Sequence, residues 1–345
     1  MNKLFKDWKF EAPANWNKIT TIDMHTGGEP LRVYTSGLPI LIGKTVLEKR
    51  RYFWDNFDYI RTGTMFEPRG HADMYGAVIT TSEDADFDVF FLHNEGYSTM
   101  CGHAIIALTK LVLETGIIKK VGQNPQLTIN VPAGKIQASA TFENGKANNI
   151  KFQNVPSFLY IRDQQISVKG IGTVNFDIAY GGAFYAFVKA EELGLTMLPK
   201  DFNKLIDMGR KIKNTVMETI EINHPFEKDL SFLYGTIFTG KPENPNNHSR
   251  NVCIFAEGEV DRSPTGSGVA ARAALHYAKD ELKENETITI ESITGSTMTV
   301  KVIKETTFGE HAAVIPEVGG TASIIGQNEF YFDPEDPFKN GFIFR

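Results

Sequence analysis

The sequence predicts an α+β chain built from two similar units with pseudo-twofold symmetry, and three features of its 345 residues lead there. First, a hydrophobic run from Phe87 to Leu92 ends at Asn94-Glu95-Gly96-Tyr97-Ser98-Thr99-Met100-Cys101-Gly102-His103, and an apolar helix follows from Ala104 to Leu113. Second, a strand from Asn251 to Glu257 ends at Asp261-Arg262-Ser263-Pro264-Thr265-Gly266-Ser267-Gly268, and an alanine-rich helix follows from Val269 to Leu282. Third, each helix leads to a strand, a glycine turn and a further strand, with the turns at Asn130-Val131-Pro132-Ala133-Gly134 and Ser292-Ile293-Thr294-Gly295. The expected division is residues 1–182 for the first unit and 183–332 for the second, with 333–345 completing the first.

Taken in order, Thr20 to Met24 and Leu31 to Thr35 read as short strands joined by His25-Thr26-Gly27-Gly28-Glu29-Pro30, where paired glycines permit a tight turn. A helix is expected from about Val46 to Ile60, then a polar loop from Phe66 to Gly76, then a strand from Ala77 to Thr81. Past the helix that ends near Gly116, five stretches have β-type composition: Leu127 to Val131, Lys135 to Phe142, Asn149 to Gln153, Phe158 to Ile161 and Thr173 to Tyr180. Gly181-Gly182 interrupts before a strand from Ala183 to Val188. Leu205, Ile206, Ile212, Val216 and Ile220 recur at helical spacing within Phe202 to Ile222, and Thr239 to Ser249 reads as a long loop.

Composition excludes several function classes. The formal net charge is −6 with both signs interspersed, so no basic block is available for nucleic acid. Met1 to Phe10 carries charges and tryptophan where a secretory signal needs an apolar core, and no run is long enough to span a bilayer; a soluble cytoplasmic protein is expected. Cys101 and Cys253 are the only cysteines, which excludes a disulfide framework, and no paired-cysteine or His-Glu-x-x-His spacing marks a metal site.

Chemistry concentrates at the two helix starts. A thiol in the first turn of a helix sits among unpaired backbone N–H groups at the positive end of the dipole, so the Cys101 thiolate is expected to be favoured; a small buried residue at a turn is the plainer alternative. Thr265 holds the same place in the second unit. If the halves face each other, N–H groups of Gly102, His103, Gly266 and Ser267 converge and can hold a carboxylate without an arginine. A carboxylate held beside a base points to abstraction of the α-proton, which needs a dry, preorganised site.

At these residues the chain resembles the proline racemase superfamily. The resemblance is carried by Met24 through Pro30, Glu67 through His71 with Asp73-Met74, Asn94 through His103, Asp177 through Gly182, and Asp261 through Pro264 with Gly266, over about Ile19 to Phe342. It implies two domains similar to diaminopimelate epimerase, each a curled, barrel-like sheet around a central helix, with the active site in the cleft between them. It also implies a small-molecule substrate of the hydroxyproline class, no cofactor and a homodimer. Racemases and epimerases of the family place a second cysteine after Asp-Arg-Ser-Pro, where this chain has Thr265. A hydroxyl exchanges protons far less readily than a thiol, so two-base racemisation should fail. The Cys/Thr pairing resembles the trans-3-hydroxy-L-proline dehydratases of the superfamily, and Ala183, where many epimerases have asparagine, points the same way.

In trans-3-hydroxy-L-proline the hydroxyl and the α-hydrogen share one face of the ring, so a single base suffices. On this reading Cys101 removes the proton and its thiol, or a water, protonates the departing hydroxyl. Asp261 binds the ring ammonium, or else caps a helix. Thr265 orients substrate or serves as a plain cap. Tyr75 and Phe255 form apolar walls by family resemblance, and His103 is a backbone donor rather than an acid or base. Three other readings stand beside this one. Threonine could be tolerated by a proline racemase or 4-hydroxyproline epimerase, or the protein could bind an amino acid without turnover. Gly266-Ser267-Gly268-Val269-Ala270-Ala271 also fits the dinucleotide pattern of an NAD(P)-dependent oxidoreductase, with Glu291 downstream. Against that last reading, about eight residues including Pro264 separate strand from glycine, and the chain beyond is β-rich.

Overall fold

The computed structural model describes residues 8–344; residues 1–7, part of the segment that argues against a secretory signal, and residue 345 lie outside them. Strands Asn17–Thr26 and Glu29–Ser36 form an antiparallel hairpin turning at Gly27-Gly28, both at positive φ. Helix α1 (Val46–Met65) starts with a capping box between Thr45 and Glu48 and leads to strand Tyr75–Thr80, parallel to Glu29–Ser36. Phe87–His93 runs back antiparallel and Gly96–Ser98 folds onto it. Helix α2 (Gly102–Glu114) crosses to Gln126–Val131, which lies parallel to Phe87–His93, and Gly134–Glu143 and Lys146–Gln153 complete the meander.

The second half repeats these connections. Gly172–Tyr180 and Phe184–Lys189 form the antiparallel pair, α3 (Phe202–Thr219) leads to the parallel strand Leu233–Gly240, and Ser249–Phe255 and Glu259–Val260 follow antiparallel. Helix α4 (Gly266–Ala278) then crosses to Ile288–Glu291, parallel to Ser249–Phe255, before Thr297–Phe308 and His311–Gly320. Lys146–Gln153 pairs with His311–Gly320, joining the halves. The fold is the α+β arrangement of two curled sheets, each around a helix.

α2 is apolar on nearly every face, so the only stable place for it is the middle of a core: Ile105, Ile106 and Leu108 are fully buried. Each such side chain contributes about 1.5–3 kcal/mol, and a charge at Ile106 would break the packing. α2 rests on Asn17–Thr26, Gly134–Glu143, Lys146–Gln153 and Ala322–Phe332, whereas α4 rests on Phe158–Val168, Gly172–Tyr180, Thr297–Phe308 and His311–Gly320. The strands around each helix therefore depart from a division at 182/183 and 332/333. Phe158–Val168 and Gly172–Tyr180, both ahead of Gly181, pack on α4 and so go with the second unit.

Several bounds shift for local reasons. α2 and α4 begin at their glycines, earlier than the apolar periodicity suggests, and α4 stops at Ala278, before Asp280 at φ +58. α1 runs on to Met65 through a non-helical Phe57. Leu233–Gly240, His311–Gly320 and Ala322–Phe332 were not expected as strands. The first is buried on both faces and lacks alternation, and the last is mostly unburied, with Ile324 and Ile325 exposed. Among the described residues no helix is long and apolar enough to cross a membrane.

Candidate active site

α2 and α4 start at the same point. Their first residues abut, and the His103 backbone nitrogen lies 3.2 Å from where a Cβ on Gly266 would sit. The first N–H groups of each helix have no acceptor within their own helix, and both dipoles present their positive ends here, so the junction suits a small anion.

Cys101 is the residue before α2 and is buried. Here the structure corrects the expectation of a favoured thiolate. Burial is the larger effect and pushes the thiol well above its ordinary value, the nearby Ala104 N–H pulls down without forming a capping hydrogen bond, and Asp261 and Glu29 add to the rise. The His103 imidazole also belongs to the site, with Nδ1 3.2 Å from Cys101 Sγ. Burial lowers its pKa to about 3 in spite of a hydrogen bond with the Pro30 backbone, so the ring is neutral. A neutral ring that donates to Pro30 offers its other nitrogen to the thiol as an acceptor. Sequence reading gave His103 only its backbone; the Cys-x-His spacing at a helix start was the available signal.

Asp261 follows strand Glu259–Val260 and accepts the Ser263 N–H at 2.7 Å, so it closes a turn and does not cap α4. Burial raises its carboxyl to about 6, with the Ser263 and Thr265 hydroxyls working against the rise. Thr265 precedes α4 in the left-handed region, at φ 70 and ψ 88. That conformation is rare for a β-branched residue and costs on the order of 1–3 kcal/mol. Its hydroxyl caps nothing: Oγ1 is buried and makes no capping hydrogen bond to α4. Threonine is thus held in strain with its hydroxyl directed at the Asp261 carboxyl, which a plain cap does not explain.

Every site residue singled out from sequence lines one cavity, together with Glu29, Met100, Tyr185 and Tyr234. Tyr75 stands edge-on to His103 at 4.9 Å, and its hydroxyl contacts that of Ser98. Phe255 stacks on Tyr234 at 5.3 Å, and the Tyr185 hydroxyl meets Ser267 Oγ at 2.7 Å. Tyr185 and Tyr234 were missed from sequence, Tyr234 because its strand was not recognised. The cavity holds about 20 Å³, room for roughly one water, and its walls are buried. As it stands the cavity is too small for a five-membered ring. A cleft of about 680 Å³ lies next to it, lined by Arg50, Lys213 and Glu257 among others, and the two share Tyr234.

The dinucleotide reading does not survive the geometry. Gly266 presses against the Gly102 backbone where a pyrophosphate would need space, and Glu291 is held by Arg250 at 2.9 Å. Among the described residues no group of three His, Cys, Asp or Glu side chains is placed to hold a metal ion.

Comparison with known proteins places these features in a wider setting. The proline racemase family profile matches residues 21–343. A trans-3-hydroxy-L-proline dehydratase of Colwellia psychrerythraea is 54% identical over 99% of this chain and 97% of its own. The human trans-3-hydroxy-L-proline dehydratase is 44% identical over 95% of each chain. Among solved structures, a hydroxyproline epimerase from Agrobacterium vitis with bound trans-4-hydroxy-L-proline superposes with a TM-score of 0.90 at 29% identity, covering 96% of both chains.

Proposed function

The chain belongs to the proline racemase family, and from that premise we propose that it is a hydro-lyase converting trans-3-hydroxy-L-proline to Δ1-pyrroline-2-carboxylate. One observation carries the choice of dehydration over racemisation: the two helix starts that face each other carry a thiol, Cys101, on one side and a hydroxyl, Thr265, on the other. Relatives named for this reaction, at 44–54% identity over nearly full length, support it.

The substrate carboxylate is held by the N–H groups of Gly102, His103, Gly266 and Ser267, and its ring ammonium by Asp261. Burial alone keeps the Cys101 thiol protonated; the ring ammonium, brought beside Sγ, works in the opposite direction and favours the thiolate. Cys101 then removes the α-proton, and the helix-start N–H groups stabilise the charge that develops on the carboxylate. The electron pair forms a double bond between the α- and β-carbons and expels the 3-hydroxyl from the same face. The enamine tautomerises to the cyclic imine. On the opposite face Thr265 cannot exchange a proton at a useful rate, so the configuration at Cα is not inverted. Tyr75, Phe255 and Tyr234 keep water from the carbanion. The reading uses only side chains and backbone of this chain, and it includes the expected cytoplasmic homodimer, for which sedimentation is the check.

Incubation with trans-3-hydroxy-L-proline and trapping of the cyclic imine with o-aminobenzaldehyde tests the proposal. Coloured adduct is expected. Its absence, together with inversion of L-proline or trans-4-hydroxy-L-proline in deuterated water, would replace dehydration with racemisation.

A further inference from the structure

Elimination of hydroxide from a saturated carbon requires a proton donor, and the site contains a carboxyl that the reaction above leaves without a task. Glu29 begins the second strand of the first hairpin, directly after Gly27-Gly28, and is completely buried in the wall of the Cys101 cavity. Two contacts fix it there. Thr26, its register partner, donates through Oγ1 to the His103 carbonyl at 2.8 Å, tying the hairpin to the first turn of α2. The Arg262 N–H donates to Oε2 at 2.7 Å, tying the carboxyl to the Asp261 turn. The other oxygen, Oε1, is buried with no hydrogen-bond partner among the described residues. An unpaired buried carboxyl oxygen costs on the order of 1–3 kcal/mol, which a fold keeps where a ligand supplies the missing partner.

We propose that Glu29 is the general acid of the dehydration: its carboxyl hydrogen-bonds the 3-hydroxyl through Oε1 and protonates it as the C3–O bond breaks. The inference rests on the dehydratase reading. Burial, with the Asp261 carboxylate next in importance, holds the Glu29 carboxyl well above the usual range, which favours its protonated form. By its ordinary value a carboxylic acid is a far stronger proton donor than a thiol, and burial raises both groups here. The second unit adds a further argument. Its corresponding hairpin reads Tyr180-Gly181-Gly182-Ala183-Phe184, with no carboxyl directly after its glycine pair.

The step balances. Cys101 thiolate takes the α-proton, the C–H pair becomes the α,β double bond, and the C3–O pair leaves on oxygen, which takes the Glu29 proton and departs as water. Cys101 ends as thiol and Glu29 as carboxylate; one proton passed from the first to the second restores the starting state.

The test compares two leaving groups. Trans-3-chloro-L-proline loses chloride, which needs no proton, by the same Cys101 abstraction. Glu29→Gln keeps an acceptor for the Arg262 N–H and removes the acid. The expected result is a fall of about 100-fold or more in kcat on the hydroxy substrate, with chloride elimination changed less than about fivefold. Dehydration retained within that same margin, or equal loss on both substrates by a variant with wild-type circular dichroism, would overturn the assignment. If the glutamine variant does not fold, Glu29→Asp decides in the same assays, since a displaced acid slows loss of hydroxide and leaves loss of chloride alone. A wild-type protein that eliminates chloride but not hydroxide overturns the dehydratase reading itself.

Discussion

A methyl group built on Gly102 would lie 2.6 Å from the Cα of Gly266, and one built on Gly266 would lie 2.7 Å from the Cα of Gly102. The near equality is what a twofold relation between the helix starts produces, and it means that neither position tolerates a side chain without parting the two halves. Neither glycine is needed for a positive φ; the constraint is contact between backbones. Gly266→Ala is therefore expected to separate the N–H groups proposed above to hold the substrate carboxylate. A displacement of about 1 Å can cost on the order of 100-fold in rate, and the overpacking about 1–3 kcal/mol in stability. Steady-state kinetics and thermal unfolding check both. Wild-type kcat/KM in the alanine variant would refute a site built on this contact.

Cys101→Ser is expected to abolish dehydration, a loss of at least about 1,000-fold, because a buried hydroxyl is a much poorer base than a thiolate. The fold should survive, since the side chain is small and makes no capping hydrogen bond. L-Proline should still protect the variant against thermal unfolding. A serine variant that keeps most of the rate would exclude a cysteine base.

How much of this was legible in the chain follows from which interactions are local. Cys101 and Thr265 could be found because each ends a hydrophobic strand and begins a helix within a few residues, and repetition of that order exposed the two halves. Tyr185 and Tyr234 could not, because they reach the cavity only through the parallel pairing of Phe184–Lys189 with Leu233–Gly240, set by the α3 crossover. Glu29 was visible as part of a turn motif, but nothing local reveals that the hairpin folds over the α2 start and leaves one carboxyl oxygen unpaired. The direction of the Cys101 shift was misjudged for the same reason: a helix start is a local feature, whereas complete burial is a property of the assembled fold, and burial is the larger effect.

Thr265→Cys supplies a second thiol opposite Cys101 and is expected to confer epimerisation. The strained φ of 70 is a property of the turn and stays with either residue, and the Thr265 side chain makes no capping hydrogen bond to α4 that a thiol would lose. Incubating the variant with trans-4-hydroxy-L-proline in deuterated water should give inverted product carrying deuterium at Cα, where the wild type gives none. A folded variant that gives no inversion at all would mean that the Thr265 position does not face the second side of the α-carbon.

Asp261 ties activity and stability to pH in opposite senses. Its carboxyl binds a proton more tightly in the folded chain, at about 6, than at its ordinary value of 3.8. Its contribution to stability is therefore fully present below the ordinary value and is lost as pH rises through about 6, amounting to about 3 kcal/mol by neutral pH. Glu29, also raised, acts with the same sign. Asparagine does not ionise, so Asp261→Asn should be more stable relative to wild type at pH 8 than at pH 4.5 in denaturant unfolding; an equal difference at both would remove the buried charge as its cause. Catalysis needs the charged form to hold the ring ammonium, so wild-type kcat/KM should fall as pH drops below about 6, and the asparagine variant should be nearly inactive throughout. The carboxylate that costs the protein stability at neutral pH is the one the substrate requires, and a bound ammonium offsets that cost by giving the buried charge its partner.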